Sequence, residues 1–131
     1  MKNSNCPCGR YHNYGDCCGS IHNDIKNALT AEDLMRSRYS AFTMAKGDYL
    51  QKSHHTQTQP TAKEAKEIET WAKSVNWIKL DVLNTTKGSE NDSSGTVEFK
   101  AYFYEEGKVS IIHENSFFEK ENGFWKYKNA F

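Results

Sequence analysis

The spacing of apolar residues changes along this chain, and each change marks a new kind of element. In "AEDLMRSRYSAFTMAK", residues 31–46, apolar side chains recur at the helical interval, with Leu34, Met35, Tyr39, Ala41, Phe42 and Ala45 on one stripe. Thr30 stands before it as an N-cap, Glu32 and Asp33 fall in the first turn, and Gly47 marks the stop. "DYLQKSHHTQTQP" predicts a short second helix running into a connector that Pro60 closes. Thr61 and Glu64 then form a capping box for "AKEAKEIETWAKSV", a half-exposed helix whose sparse apolar residues are Ile68, Trp71, Ala72 and Val75.

From residue 76 the period falls to two. Four segments rich in β-branched and aromatic residues, 76–88, 95–107, 108–123 and 124–131, are separated by glycine-containing turns, which predicts an antiparallel meander. Val97, Phe99, Ala101 and Phe103 share one face of the second strand; Ile112, Glu114, Ser116 and Phe118 share one face of the third, with Ile111, His113, Asn115 and Phe117 opposite. Helices first and a hairpin-connected sheet afterwards define an α+β fold.

Two charges interrupt these apolar faces. Arg38 lies within the helical stripe, whereas Arg36 points away, and an isolated buried cation costs several kcal/mol or more unless it finds an acceptor. Glu114, itself among apolar neighbours, is the best candidate. The favoured reading is a structural ion pair tying helix to sheet; the alternative makes Arg38, Tyr39, His55 and Glu114 the polar lining of a ligand pocket, or Glu114, Arg38 and His55 the acid/base groups of an enzyme. His54 and His55 are adjacent and point apart, so they make a poor metal pair. "HENSF" is no zinc-protease motif, because Phe117 stands where a second histidine is required. The chain carries neither a phosphate-binding loop nor a nucleophile elbow.

Composition narrows the function classes. Seventeen basic residues balance seventeen acidic ones, so no net field favours nucleic acid or anionic lipid. The polar start "MKNSN" and the absence of a long apolar run argue against a signal peptide or membrane span, and predict a cytoplasmic protein with reduced thiols. At 131 residues, 37% of them hydrophobic, the chain fits one main domain plus a small appendage.

That appendage is residues 1–23, which show no helical or strand period and hold all four cysteines in "CPCGRYHNYGDCCG". Two short thiol pairs, Cys6 with Cys8 and Cys17 with Cys18, suit a tetrahedral zinc ion, and a closed four-ligand site is structural. Disulfides and free redox thiols rank lower, given the reducing compartment and the strain of bridging neighbours. His12 and His22 are substitute ligands that a complete cysteine set does not need.

"CPCG", seven residues, then "CCG" resembles the SEC-C zinc motif found at the tail of the SecA translocase. The following "LMRSRYSAF", "DYL", "GTVEFKAYF", "HENSFF" and "WKY" are similar, in that order, to the YchJ family of uncharacterised bacterial proteins. The resemblance implies a zinc knuckle over 1–23 and, over 24–131, a nuclear-transport-factor-two-like (NTF2-like), or cystatin-like, cone of helices on a curved antiparallel sheet. Cones of this type commonly dimerise through the open sheet face, which makes a homodimer one expectation. The usual Gly-Ser-Gly-Lys after the first pair is replaced here by Gly9 and "RYHN", which keeps the ligands but alters the lysine-bearing surface, so the resemblance does not by itself imply SecA-like partners. Many members also have a second cysteine motif at the C-terminus, which this sequence lacks. The chain thus reads as a zinc-binding module for a protein partner or small ligand, with an enzyme working in the cone as the alternative.

Overall fold

The computed structural model describes residues 5–131; the first four residues of the expected knuckle lie outside the described residues. After a 3₁₀ turn at Tyr14–Asp16 come α1 (Cys18–Asn23), a second 3₁₀ turn (Ile25–Asn27), α2 (Ala31–Thr43), α3 (Gly47–Lys52) and α4 (Ala62–Ser74). The strands β1 (Asn76–Lys87), β2 (Ser94–Glu105), β3 (Lys108–Glu121) and β4 (Phe124–Ala130) follow. Both caps act as the residue types require. The Thr30 hydroxyl accepts from the Asp33 amide at 3.0 Å, and Thr61 and Glu64 exchange bonds in a complete capping box. Helix α2 stops three residues before the expected Lys46. Ala45 takes a left-handed φ of 53°, and the Lys46 amide reaches back to the Ala41 carbonyl at 2.9 Å, a Schellman-type finish without glycine.

The strands pair antiparallel in chain order, β1-β2-β3-β4. Glu106-Gly107 and Asn122-Gly123 form the two tight hairpins, all four residues at positive φ, as two-residue turns matched to strand twist require. The β2–β3 register sets Val97 opposite Ser116, Phe99 opposite Glu114 and Ala101 opposite Ile112, which brings the two predicted inner faces together. Irregularities at Trp77/Lys79 and Val82/Asn84 in β1, and in β4 where Phe117 and Phe118 pair with Asn129 and Tyr127, add local bend and twist.

The sheet curves around α2. Val97, Phe99, Ala101, Phe118 and Trp125 pack with Ala31, Leu34, Met35, Tyr39 and Leu50 into one core. Trp125, only 1% exposed, spends its indole N–H on the Leu29 carbonyl at 3.1 Å. On the outer face Tyr104, Val109 and Ile111 remain exposed. Ile21, on α1 within the 1–23 segment, is 6% exposed and belongs to this same core, so the cysteine-bearing segment is anchored to the sheet domain by apolar burial as well.

Where β1 gives way to β2 the two backbones nearly touch: a Cβ on Gly95 would sit 2.4 Å from the Gly88 Cα. The Gly88 carbonyl also receives the first amide of α2, from Ala31, at 2.9 Å. Gly95→Ala is therefore expected to lower stability by about 1–3 kcal/mol in urea unfolding. A loss below about 0.5 kcal/mol, the range of an indifferent surface change, contradicts this packing.

Candidate functional site

Two polar features flank α2. At 100° per residue, Arg36, Ser37 and Ser40 turn toward the cysteines, while Met35, Arg38, Tyr39 and Phe42 turn the opposite way.

On the first side the sulfurs of Cys6, Cys8, Cys17 and Cys18 all lie within 4.8 Å of one another, and all four residues are buried. They form no disulfide. The Cys8 and Cys17 sulfurs are 3.7 Å apart, close to the roughly 3.8 Å edge of a tetrahedron with metal–sulfur bonds of about 2.3 Å. Local backbone makes the cage. The Cys6 amide donates to the His12 carbonyl at 2.7 Å, the Gly9 amide returns to the Cys6 carbonyl at 3.1 Å, and Gly9 supplies the φ of 98° that this turn requires. By themselves the thiols are in conflict. Burial and the charge of Cys8 push Cys17 up to about 11, and hydrogen bonding with Cys6 and Cys8 pushes Cys18 up as well, while Cys6 is lowered by bonds from Cys18 and Cys8. Four sulfurs this close can all ionise only if a cation shares them, so the donor set fits a metal.

The cage is fastened to α2 by side chains for which the sequence offered no partner. Arg36 donates from Nη1 to the Cys8 carbonyl at 2.7 Å and from Nε to Glu32 at 2.9 Å. Arg10, the first residue of "RYHN", pairs with Asp33 at 2.8 Å and with Glu32 at 3.7 Å. That part of the loop faces its own helix, while Tyr11 is 87% exposed. His22, the substitute ligand, has both ring nitrogens engaged. Nε2 donates to the Ser37 carbonyl at 2.7 Å and Nδ1 accepts from the Tyr14 hydroxyl at 2.6 Å, a neutral tautomer consistent with burial lowering its pKa. The Ser37 hydroxyl donates to the Leu34 carbonyl and so accepts from Tyr49, at 2.7 and 2.6 Å.

Across α2 lies a cavity of about 270 Å³. Its walls include Met35, Phe42, Trp77, Phe99, Ile112 and Phe118, and its polar groups come from Arg38, Tyr39, His54, Glu114, Ser116 and Tyr127. The expected Arg38–Glu114 ion pair does not form. Nη1 of Arg38 instead donates to the Leu50 carbonyl at 2.9 Å and to the Ser53 hydroxyl at 2.6 Å, and the guanidinium lies 4.6 Å from the centre of the Tyr127 ring. The cation is thus satisfied by α3, the residue that follows it and β4, without a carboxylate from β3. Glu114 accepts from the Ser116 hydroxyl at 3.1 Å and acts on Arg38 only at longer range. Burial lowers Arg38 to about 10 and raises Tyr39 to about 12.

His55 is also displaced from its expected place. Its amide donates to the Tyr127 carbonyl at 2.7 Å, and its ring turns toward Glu119 at 3.4 Å and Glu121 at 3.8 Å, away from the cavity. The neighbour points the other way, as alternation demands: His54 lines the cavity and meets the Tyr127 ring edge-on at 4.9 Å. Its Nε2 is buried without a hydrogen-bond partner.

Comparison with known proteins places these features in a wider group. Residues 30–130 match the family described as YchJ, middle NTF2-like domain. A UPF0225 protein of Vibrio parahaemolyticus is 41% identical over 126 residues, covering 95% of this chain and 72% of that protein. One from Streptomyces coelicolor is 39% identical over 130 residues, covering 99% and 97% respectively. The solution structure of a SEC-C motif containing protein from Rhodopseudomonas palustris is similar with a TM-score of 0.80 at 32% identity over 98% of both chains. A crystal structure of a SEC-C motif containing protein from Psychrobacter arcticus gives 0.75 at 34% identity, over 96% of this chain and 81% of that one.

Burial and the charge of Arg38 lower the His54 pKa to about 4. The folded value lies below the ordinary one of about 6.5, so the neutral ring's contribution to stability is complete above pH about 6.5 and is lost as pH falls through about 4. An NMR titration of the His54 ring protons should show a midpoint near 4, and a midpoint near 6.5 contradicts this environment.

Proposed function

This chain belongs to the YchJ (UPF0225) family of NTF2-like proteins, and we propose that it is a small-ligand-binding protein whose four clustered cysteines hold a structural zinc ion. Four soft thiolates favour zinc over oxygen-seeking cations, and a four-thiolate shell leaves no open position for water or substrate. Cys6, Cys8, Cys17 and Cys18 would supply that shell, and the ion would relieve their mutual repulsion. Its role is to order the segment that Arg10, Arg36 and His22 fasten to α2.

The observation that carries ligand binding is the cavity. Interiors pack densely because an unfilled space forfeits contacts on every lining atom, and this fold leaves about 270 Å³ open beside a cation and a carboxylate not paired with each other. A cone serving only as a scaffold would gain by filling the space with its own side chains. A second reading, acid/base catalysis, draws on the same place; its candidates are Glu114 and His54 beside Arg38, with His55 outside.

Two experiments test this. Purified protein should carry zinc at about one ion per chain, and Cys18→Ser should lose it. Chelation should lower the denaturant midpoint of the sheet together with that of α1, because Ile21 joins the two. Absence of zinc, or a sheet midpoint unmoved by chelation, contradicts the proposed staple. For the cavity, thermal-shift screening of a small-molecule collection should find compounds that stabilise the wild type but not Ala101→Leu, which fills the space from a lining position. Compounds that stabilise both proteins equally bind elsewhere and count against the cavity.

A further inference from the structure

The polar groups in the cavity are few enough to be read as a pattern, and that pattern restricts what could bind. Arg38 commits Nη1 to Leu50 and Ser53; among the described residues no acceptor bonds its Nη2 or Nε. Glu114 has one carboxylate oxygen engaged by Ser116 and the other without a protein donor. Nε2 of His54 is buried with no partner. In the neutral tautomer that carries its proton on Nδ1, Nε2 is a bare lone pair, so there His54 asks for a donor while Arg38 asks for an acceptor. Both meet the same ring: the Arg38 guanidinium is 4.6 Å and the His54 ring 4.9 Å from the centre of Tyr127. Both line the same cavity, where one small polar group is the simplest partner for the two.

Charge decides what that group is. The lining holds one cation, Arg38, and one carboxylate, Glu114. An anionic ligand would satisfy Arg38 but meet Glu114, and a cationic one would satisfy Glu114 but meet Arg38 and crowd His54. A pure hydrocarbon would leave the His54 nitrogen buried and unbonded, a cost that a hydroxyl removes. Phe42, Trp77, Phe99 and Phe118 supply aromatic walls, and about 270 Å³ falls just below the roughly 300–1,000 Å³ of drug-sized sites. Pro60 and Ile68 line both the cavity and an open surface depression beside it, between the connector and α4.

We infer that the cavity takes a compact, uncharged ring compound bearing a hydroxyl, whose oxygen accepts from Arg38 and whose hydrogen is donated to Nε2 of His54. This rests on the ligand-binding reading above and adds the class of ligand to it. A carboxyl oxygen of Glu114 stands as the alternative acceptor for the same hydrogen.

The test uses the full chain, ¹⁵N-labelled, titrated at pH 7 with four probes of one size: phenol, benzoate, benzylammonium and toluene. Phenol should shift amides around the cavity, at Tyr39, Phe99 and Ile112, and bind about tenfold or more tighter than either charged probe. His54→Phe keeps a ring against Tyr127 but removes the acceptor. It should cost phenol about tenfold while leaving toluene unchanged, and the toluene result reports that the cavity is intact. If toluene or a charged probe binds best at the cavity amides, or if His54→Phe leaves phenol affinity unchanged, the assigned class is wrong and the ligand-binding reading survives. If no probe moves the cavity amides, the ligand-binding reading itself falls, and the assignment with it.

Discussion

The arrangement around the cavity depends on one constraint: a guanidinium placed on the inward face of α2 has to be satisfied without a carboxylate in contact. Arg38 meets it with a carbonyl at the end of α3, the hydroxyl of Ser53 just beyond, and the face of Tyr127 on β4. These acceptors lie on three different parts of the chain, so satisfying the cation also fixes how α3, the connector and β4 meet. The Ser53 carbonyl accepts from the Tyr127 amide at 2.9 Å and the His55 amide donates to the Tyr127 carbonyl at 2.7 Å, pinning the connector to β4. Those two bonds turn His54 inward and His55 outward. The cation is thus held on the α2 side of the cavity, and Glu114 acts on it only at longer range.

The opposite face of α2 is governed by the cysteines. Arg36 reaches the Cys8 carbonyl, His22 reaches the Ser37 carbonyl, and the Ser37 hydroxyl accepts from Tyr49 on α3. The Cys6 sulfur lies 3.6 Å from the Ser40 hydroxyl, which brings the cage against the helix itself. A metal in that cage would therefore do more than order a loop: it would brace the helix whose other face presents Arg38 and Tyr39 to the cavity, and Ser37 on that helix is bonded to Tyr49 of α3.

What could be read from the residues was whatever depends on near neighbours. The capping box of Thr61 and Glu64, the period-two faces of β2 and β3, the turn at Asn122-Gly123 and the grouping of the cysteines are short-range signals, and the fold uses each of them. The pairing of Arg38 with Glu114 failed for a physical reason: alternation tells which face a residue occupies but not how far the facing helix stands from a curved sheet. Ser53 and the Leu50 carbonyl were nearer acceptors, and a backbone carbonyl has no sequence signature. The choice between His54 and His55 turned on a single pairing with Tyr127, seventy-odd residues along the chain. Arg36 does point away from the apolar stripe, yet its partner, the carbonyl of Cys8, could be found only once the cysteine segment was placed against α2.

If the cone's open space is a binding site, a bound small molecule has to sit inside it. Intermolecular NOEs from a saturating ring compound to methyl-labelled protein would place it. The account predicts contacts to the methyls of Met35, Ile68 and Ile112, which line the cavity. Contacts confined to Val109 and Ile111, on the exposed outer face of the sheet, would contradict it.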